Sequence, residues 1–111
     1  MNQKETQLLK GVLTMMLLKL LTEEENYGYA VVVKLRDLGF NDLNEGSVYP
    51  ALSRLEKQGL LASRLQTSSS GPARKYYSTT PNGRESLTAA MDTWQELKGR
   101  VETLLQGGTK K

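Results

Sequence analysis
With 111 residues the chain has room for one domain and a modest core, small enough to leave apolar surface for a second subunit to cover. Its formal charge of +3 and its pI near 9.2 permit nucleic-acid binding without requiring it. Cysteine and histidine are both absent, which excludes disulfides, thiolate chemistry, the commonest general base and the usual zinc and iron ligands.

Any catalysis would have to rest on carboxylates, Lys, Tyr or Ser, and no recognisable nucleophile–base pair is present. Neither an enzyme nor a cofactor nor a metal is expected. In chain order, the polar residues 1–6 are expected to fray. From Gln7 to Leu21, Leu8, Leu9, Val12, Leu13, Met16, Leu17, Leu20 and Leu21 recur at helical spacing. Met15 and Leu18 widen that stripe around most of the circumference, so the helix must be buried on several sides, one of them another subunit. The paired methionines read as core filling. The apolar run Gly11 to Leu18 is far shorter than the ~18–20 residues that cross a bilayer. It is followed by Thr22-Glu23-Glu24-Glu25, not by a small-residue cleavage site. No membrane association and a cytoplasmic location are expected.

Thr22 to Asn26 is an acidic connection, and Tyr27 to Leu38 supports two readings. Tyr27, Tyr29, Val31 and Val33 alternate like a strand; Tyr27, Val31, Leu35 and Leu38 form a helical stripe that Gly39 could stop. Phe40 to Glu45 reads as a turn. Gly46 to Leu61 then reads as one amphipathic helix with a Gly59 stop. Val48, Leu52 and Leu55 fall inside with Ala51 at the edge, while Pro50, Ser53, Arg54 and Lys57 fall outside. A start at Asn44, as N-cap, places Pro50 beyond the first turn, where it should bend the helix; a start at Ser47 makes it harmless. An aliphatic anchor that shows Ser, Tyr, Arg and Lys outward suits a helix lying in the major groove, although solvated helix faces are commonly charged as well.

Leu60 to Gln66 and Arg74 to Thr80 have strand composition, and Thr67 to Ala73 between them reads as turn chemistry that continues neither. The pair makes a hairpin with a polar tip. From Arg54 to Lys75 there are five basic residues against one acid, a denser positive charge than the chain as a whole carries. Tyr76 and Tyr77 alternate, so one of them is buried. A last helix runs from Pro81 to about Gln106, with Thr80 as N-cap and Gly107-Gly108 as stop. Its heptads place Leu87, Trp94 and Val101 at a, Ala90, Leu97 and Leu104 at d, and Met91 and Leu105 at e, a pattern that favours a helix–helix seam between subunits.

Taken together, Tyr27-Gly28-Tyr29, Gly46-Ser47-Val48-Tyr49-Pro50 with Leu52, Arg54-Leu55-Glu56, Gly59-Leu60-Leu61, Gly71-Pro72 with Arg74-Lys75-Tyr76-Tyr77, and Gly83-Arg84-Glu85 resemble the short members of the PadR family of winged-helix transcriptional regulators, in order and spacing over roughly residues 8–105. There are two departures: Thr79 stands where the family usually has leucine, a loss of packing under the wing, and Asn26 stands where it often has proline. The resemblance implies a mainly α winged helix-turn-helix with a small β-hairpin and long N- and C-terminal helices, dimeric. It decides Tyr27 to Leu38 for helix and Tyr77 for the buried tyrosine.

It further implies a sequence-specific DNA-binding regulator, a homodimeric repressor on an inverted-repeat operator in double-stranded DNA, released by a small aromatic or hydrophobic effector. Ser47, Tyr49, Pro50, Ser53, Arg54 and Lys57 are expected on the DNA from the recognition helix. Arg74 and Lys75 are expected there from the wing, with Ser69, Ser70 and Gly71 at its tip. Tyr27 and Tyr29 belong either near phosphates or in the core. The dimer seam is expected along Leu87, Ala90, Met91, Trp94, Leu97, Val101, Leu104 and Leu105, with Met91, Trp94 and Leu97 as effector slot. Residues 1–80 form the DNA-binding region, 81–106 the dimerisation helix and 107–111 a flexible tail. The alternative is a winged-helix module for protein interaction or small-molecule binding that no longer reads DNA.

Overall fold
The computed structural model describes residues 8, 9 and 11–107; Gln7, Lys10, the first six residues and the tail from Gly108 lie outside the described residues. After a helical turn at Leu8 and Leu9, the described residues form four helices and three strands in the order α1 (Leu13–Glu23), β1 (Asn26–Tyr27), α2 (Gly28–Asp37), α3 (Glu45–Lys57), β2 (Leu61–Ser68), β3 (Gly71–Thr79) and α4 (Pro81–Leu105). The sheet order is β1-β3-β2, all antiparallel.

The core is built where the inner faces of α1, α2 and α3 meet. Leu17, Leu18, Leu21, Val31, Val32, Leu35, Val48, Ala51, Leu52 and Leu55 are all buried, closed from below by Leu61 and Tyr77 of the sheet. Ala51, expected at the edge of its helix, is as buried as its neighbours. Tyr27 to Leu38 is helical from Gly28 on, but Tyr27 itself belongs to β1, which pairs Asn26 with Tyr77 and Tyr27 with Tyr76. Two residues of strand leave no periodicity to read.

The N-terminal helix is not continuous. A turn at Gly11 and Val12, closed by bonds to the Leu8 and Leu9 carbonyls at 3.3 and 2.9 Å, precedes α1. The apolar stripe runs across this break, but glycine costs a helix interior ~1 kcal/mol relative to alanine, and the chain breaks there. Both helices of the helix-turn-helix end on a glycine at positive φ, Gly39 at 100° and Gly59 at 78°. In each case the next residue's N–H reaches five residues back, Phe40 to the Leu35 carbonyl at 2.9 Å and Leu60 to the Leu55 carbonyl at 3.0 Å.

The recognition helix begins at the earlier of the two candidate starts. Asn44 caps it reciprocally with Ser47: Asn44 Oδ1 accepts from the Ser47 N–H and Ser47 Oγ accepts from the Asn44 N–H, both at 3.2 Å. Pro50 therefore lies inside α3, on its exposed face, and the helix continues to Lys57. Gly46, whose carbonyl would have bonded to the missing donor, faces solvent.

The wing is longer than its composition suggests. Only Ser69 and Ser70 turn; Thr67 and Pro72-Ala73, read as loop, belong to the strands. Between the pairs Gln66–Arg74 and Ser68–Gly71 the register shifts, so Thr67 faces two residues of β3. Proline is tolerated at such a bulge, on a stretch of β3 that has no second neighbour, because its absent N–H is not needed there.

Thr79 does not leave a packing gap. It is buried, and its hydroxyl donates to the Leu18 carbonyl of α1 at 3.0 Å, tying the wing's base to the first helix. α4 starts as expected, with Thr80 Oγ1 accepting from the Gly83 N–H at 3.0 Å and donating to the Gly59 carbonyl at 2.7 Å. Its first turns pack on the domain through Leu87, Met91 to Leu97 still share apolar hollows with α1 and the turn before it, and the last turns project, giving a molecule 63 Å long but only 31 by 20 Å across.

Candidate nucleic-acid interface
Winding α3 puts Tyr49, Pro50, Ser53, Arg54 and Lys57 on its outer, exposed face. Ser47, expected to meet DNA, is half-buried and spends its hydroxyl on the cap. Arg54 leans toward α1, where Nη2 donates to Thr14 Oγ1 at 3.3 Å. Neither Arg54 nor Lys57 has an acidic partner among the described residues. The Tyr49 ring lies on Gly28, at the first position of α2. Burial and then the Glu45 carboxylate push its hydroxyl above the ordinary tyrosine range.

The pleat of β3 sorts the wing's side chains onto two faces. Arg74 and Tyr76 share one: Arg74 sits over the Tyr27 ring at 4.5 Å, Tyr27 meets Tyr76 edge-on at 5.3 Å, and Arg64 covers Tyr76 at 5.3 Å. Tyr27, the half-buried N-cap of α2, is thus part of this cation–aromatic stack. Lys75, Tyr77 and Thr79 take the other face, and Tyr77 is the buried tyrosine. There Glu56 of α3 receives both Lys75, at 2.8 Å, and the Ser63 hydroxyl. Lys75, then Ser63, hold the Glu56 carboxyl below the usual range, and Glu56 raises Lys75 in return.

Arg64 makes a two-pronged bond to Glu25 at 2.7 and 2.8 Å, which lowers Glu25 and raises Arg64. Of the five basic residues counted in this stretch, two are therefore already paired within the molecule. The tip residues Ser69, Ser70 and Gly71 are exposed.

These elements converge on one cleft of about 510 Å³ that has Tyr27, Tyr29, Tyr49, Arg74 and Lys75 on its walls. Tyr29 is nearly half exposed there, so it is not core. Phenolic hydroxyls and two cations around one hollow make a surface suited to phosphate oxygens.

On α4 the predicted seam divides. Leu87 is a correction: it is only 6 % exposed and lies in the subunit's own core, with little left to offer a partner. Met91, Trp94, Leu97, Val101, Leu104 and Leu105 are exposed, the last two by 65 and 78 %. Ala90 is half-buried. Met91 and Trp94 line an apolar pocket of about 290 Å³ with Met15, Met16, Leu38 and Phe40. Leu97 lies on the other side of the indole, beside Leu9 and Val12, so within one subunit it does not share that pocket.

Three features of the site escaped the sequence reading. The acids that neutralise Arg64 and Lys75 come from Glu25 and Glu56, 39 and 19 positions away, and no local pattern announces them. β1 was too short to see. The support that Gly28 gives Tyr49 was hinted at only by a glycine between two tyrosines.

A helix-turn-helix whose second helix shows a basic face, followed by a hairpin that brings cations beside it, defines the winged-helix class of DNA-binding regulators. The chain belongs to the PadR-like family of transcriptional regulators, whose pattern it matches over residues 17–89. It is similar to the PadR-like transcriptional regulator of Bacillus cereus, with 43 % identity over 90 % of this chain and 97 % of that one and a TM-score of 0.81. A PadR family regulator from Eggerthella lenta is 39 % identical, covering 92 and 88 % of the two chains, with a TM-score of 0.85. The transcriptional regulator Rv3488 of Mycobacterium tuberculosis is 37 % identical over 79 residues, 71 % of this chain and 72 % of that protein. No helix among the described residues is long and apolar enough to cross a membrane.

Proposed function
We propose that the protein is a cytoplasmic two-fold homodimer that represses transcription from an inverted-repeat operator and is released by a small, flat, apolar or aromatic effector. The observation that carries the DNA reading is the single cleft shared by α3, the start of α2 and the wing, with tyrosines and cations around it. In this reading Tyr49, Pro50, Ser53 and Arg54 enter the major groove, Lys57 on the same helix face meets the phosphate backbone, and Ser47 supports them as the cap. Tyr29, Arg74 and Lys75 meet phosphates, Tyr27 holds Arg74 in place, and Ser69, Ser70 and Gly71 lie along the backbone.

The exposed apolar side of α4 supports dimerisation through residues 81–106, with residues 1–80 as the DNA-binding region. Trp94, more than a third exposed between two apolar hollows, supports an effector site there, with the adaptable side chain of Met91 beside it. Leu97 reaches that site from the far face of the indole.

One experiment addresses both parts. A fragment of the protein's own promoter is bound, and planar cationic and phenolic compounds are titrated in while Trp94 emission and DNA release are followed. Binding of the fragment, saturable quenching and matching release are expected, and Trp94→Ala should bind DNA but ignore the compounds. If no promoter fragment binds, the DNA reading is wrong. Unchanged emission, or an alanine variant that responds equally, leaves Trp94 as packing alone.

A further inference from the structure
We infer that Gly28 is a positioning residue for DNA recognition: it seats the Tyr49 ring, and so sets where the Tyr49 hydroxyl points. The inference rests on the placement of Tyr49 at the DNA surface proposed above. A Cβ built on Gly28 would lie 2.7 Å from Tyr49 Cε1, closer than carbon atoms approach, and a tight 3.2 Å from Cδ1. The contact crosses two elements, the first residue of α2 and the middle of α3.

The backbone does not ask for glycine here. The glycines at positive φ are Gly39, Gly59 and Gly107, and Gly28 is not among them. Helix propensity argues against glycine as well. What remains is the ring.

If a side chain were added at 28, the ring would have to yield. α2 is anchored by Val31, Val32 and Leu35, and α3 by Val48 and Leu52 on either side of Tyr49, all of them buried. Tyr49 is 43 % exposed, and the direction open to its ring is the cleft walled by Tyr29, Arg74 and Lys75. A displaced ring would therefore occupy the space proposed for the phosphate and point its hydroxyl away from the groove. The two tyrosines that flank Gly28 meet the cleft themselves, which makes 27–29 one unit: two phenols and, between them, the seat for a third.

The test is a double-mutant cycle on operator DNA with the full-length protein, with melting temperature recorded for each variant. Tyr49→Ala should weaken binding about ten-fold or more and relax preference at one base pair. Gly28→Ala should lose a comparable factor and relax preference at that same base pair, a change that general destabilisation would not localise. The double variant should lose no more than either single one. Losses that multiply, or a Gly28→Ala protein that binds like the parent while Tyr49→Ala does not, would overturn the proposal. If Tyr49→Ala binds like the parent, the DNA role of Tyr49 fails and the positioning role with it. Should Gly28→Ala not fold, the double variant, which lacks the ring, is expected to fold; its failure to do so would show that Gly28 answers to something other than Tyr49.

Discussion

Glu56 sits at the point where the recognition helix and the wing meet, and it holds Lys75 at 2.8 Å. A phosphate must compete with that carboxylate for the ammonium group. Glu56→Gln should therefore tighten DNA binding several-fold at low salt and steepen its salt dependence by up to about 0.9 per freed lysine. Weaker binding, measured by fluorescence anisotropy, would show instead that the pair serves to aim the wing. The pair also fixes a pH dependence. Glu25 and Glu56 titrate below the ordinary glutamate value in the folded chain, held there by Arg64 and Lys75. Their contribution is complete above the unfolded value, near ~4.3, and is lost as pH falls from there through the lower folded values. Neither group is buried, so solvent screens both pairs, the loss should be shallow, and urea midpoints should be flat from neutral pH down to about 5.

Gly83 is a second decisive residue. A Cβ there would run into the Leu60 carbonyl oxygen and the Thr79 methyl, and backbone does not step aside as a tyrosine ring does. Gly83→Ala should cost about 1–3 kcal/mol in denaturant unfolding even though alanine is the better helix former. A gain in stability would mean that α4 can lift off the β2–α3 junction freely.

Among the elements, α4 was the most legible, because cap, apolar stripe and glycine stop agree at Thr80 to Gly107; in α3 the stripe and the Gly59 stop were clear, while Pro50 left its start open between Asn44 and Ser47. α2 was ambiguous because Val31-Val32-Val33 satisfies both periods; two of those valines are buried against α1 and α3, so packing overrides strand propensity. The break at Gly11 was hidden because apolar residues continue on both sides of it. The hairpin loop was read too long around a correctly placed tip, because turn-forming residues also occur at bulges, where Pro72 sits. Site residues on a helix face could be read from spacing alone. Their partners could not, since Glu25–Arg64 and Tyr27–Tyr76 come together only through β1 and the sheet.

The second half of α4 carries its own prediction. Leu97 and Val101 are half or nearly half exposed in the subunit, so charge placed there should not disturb the core. Leu97→Asp combined with Val101→Asp should give a folded monomer in sedimentation, since the buried charge would fall in the seam between subunits. A double variant that remains dimeric places the interface elsewhere.

For the whole molecule, a two-fold pair of winged helices has to set its recognition helices about 34 Å apart to reach successive major grooves on one side of the duplex. An elongated subunit with the reading helix near one end and an apolar rod at the other is shaped for this. In the dimer proposed above, each cation of the interface acts twice per complex. Arg54, Lys57 and Arg74 have no acidic partner among the described residues and so are available to phosphates or bases without breaking an internal pair. Specific binding should therefore be strongly electrostatic, with sequence preference added by the exposed face of α3.

The measurement that bears on this most directly is the operator dissociation constant as a function of salt, for the parent and for Lys57→Ala, on the inverted repeat and on a scrambled duplex. The account predicts a linear fall in log affinity with log salt for the parent. The Lys57→Ala slope should be shallower by about 0.9 for each subunit, with the ratio between the two duplexes unchanged. A salt-independent complex, or equal affinity for both duplexes, would contradict it.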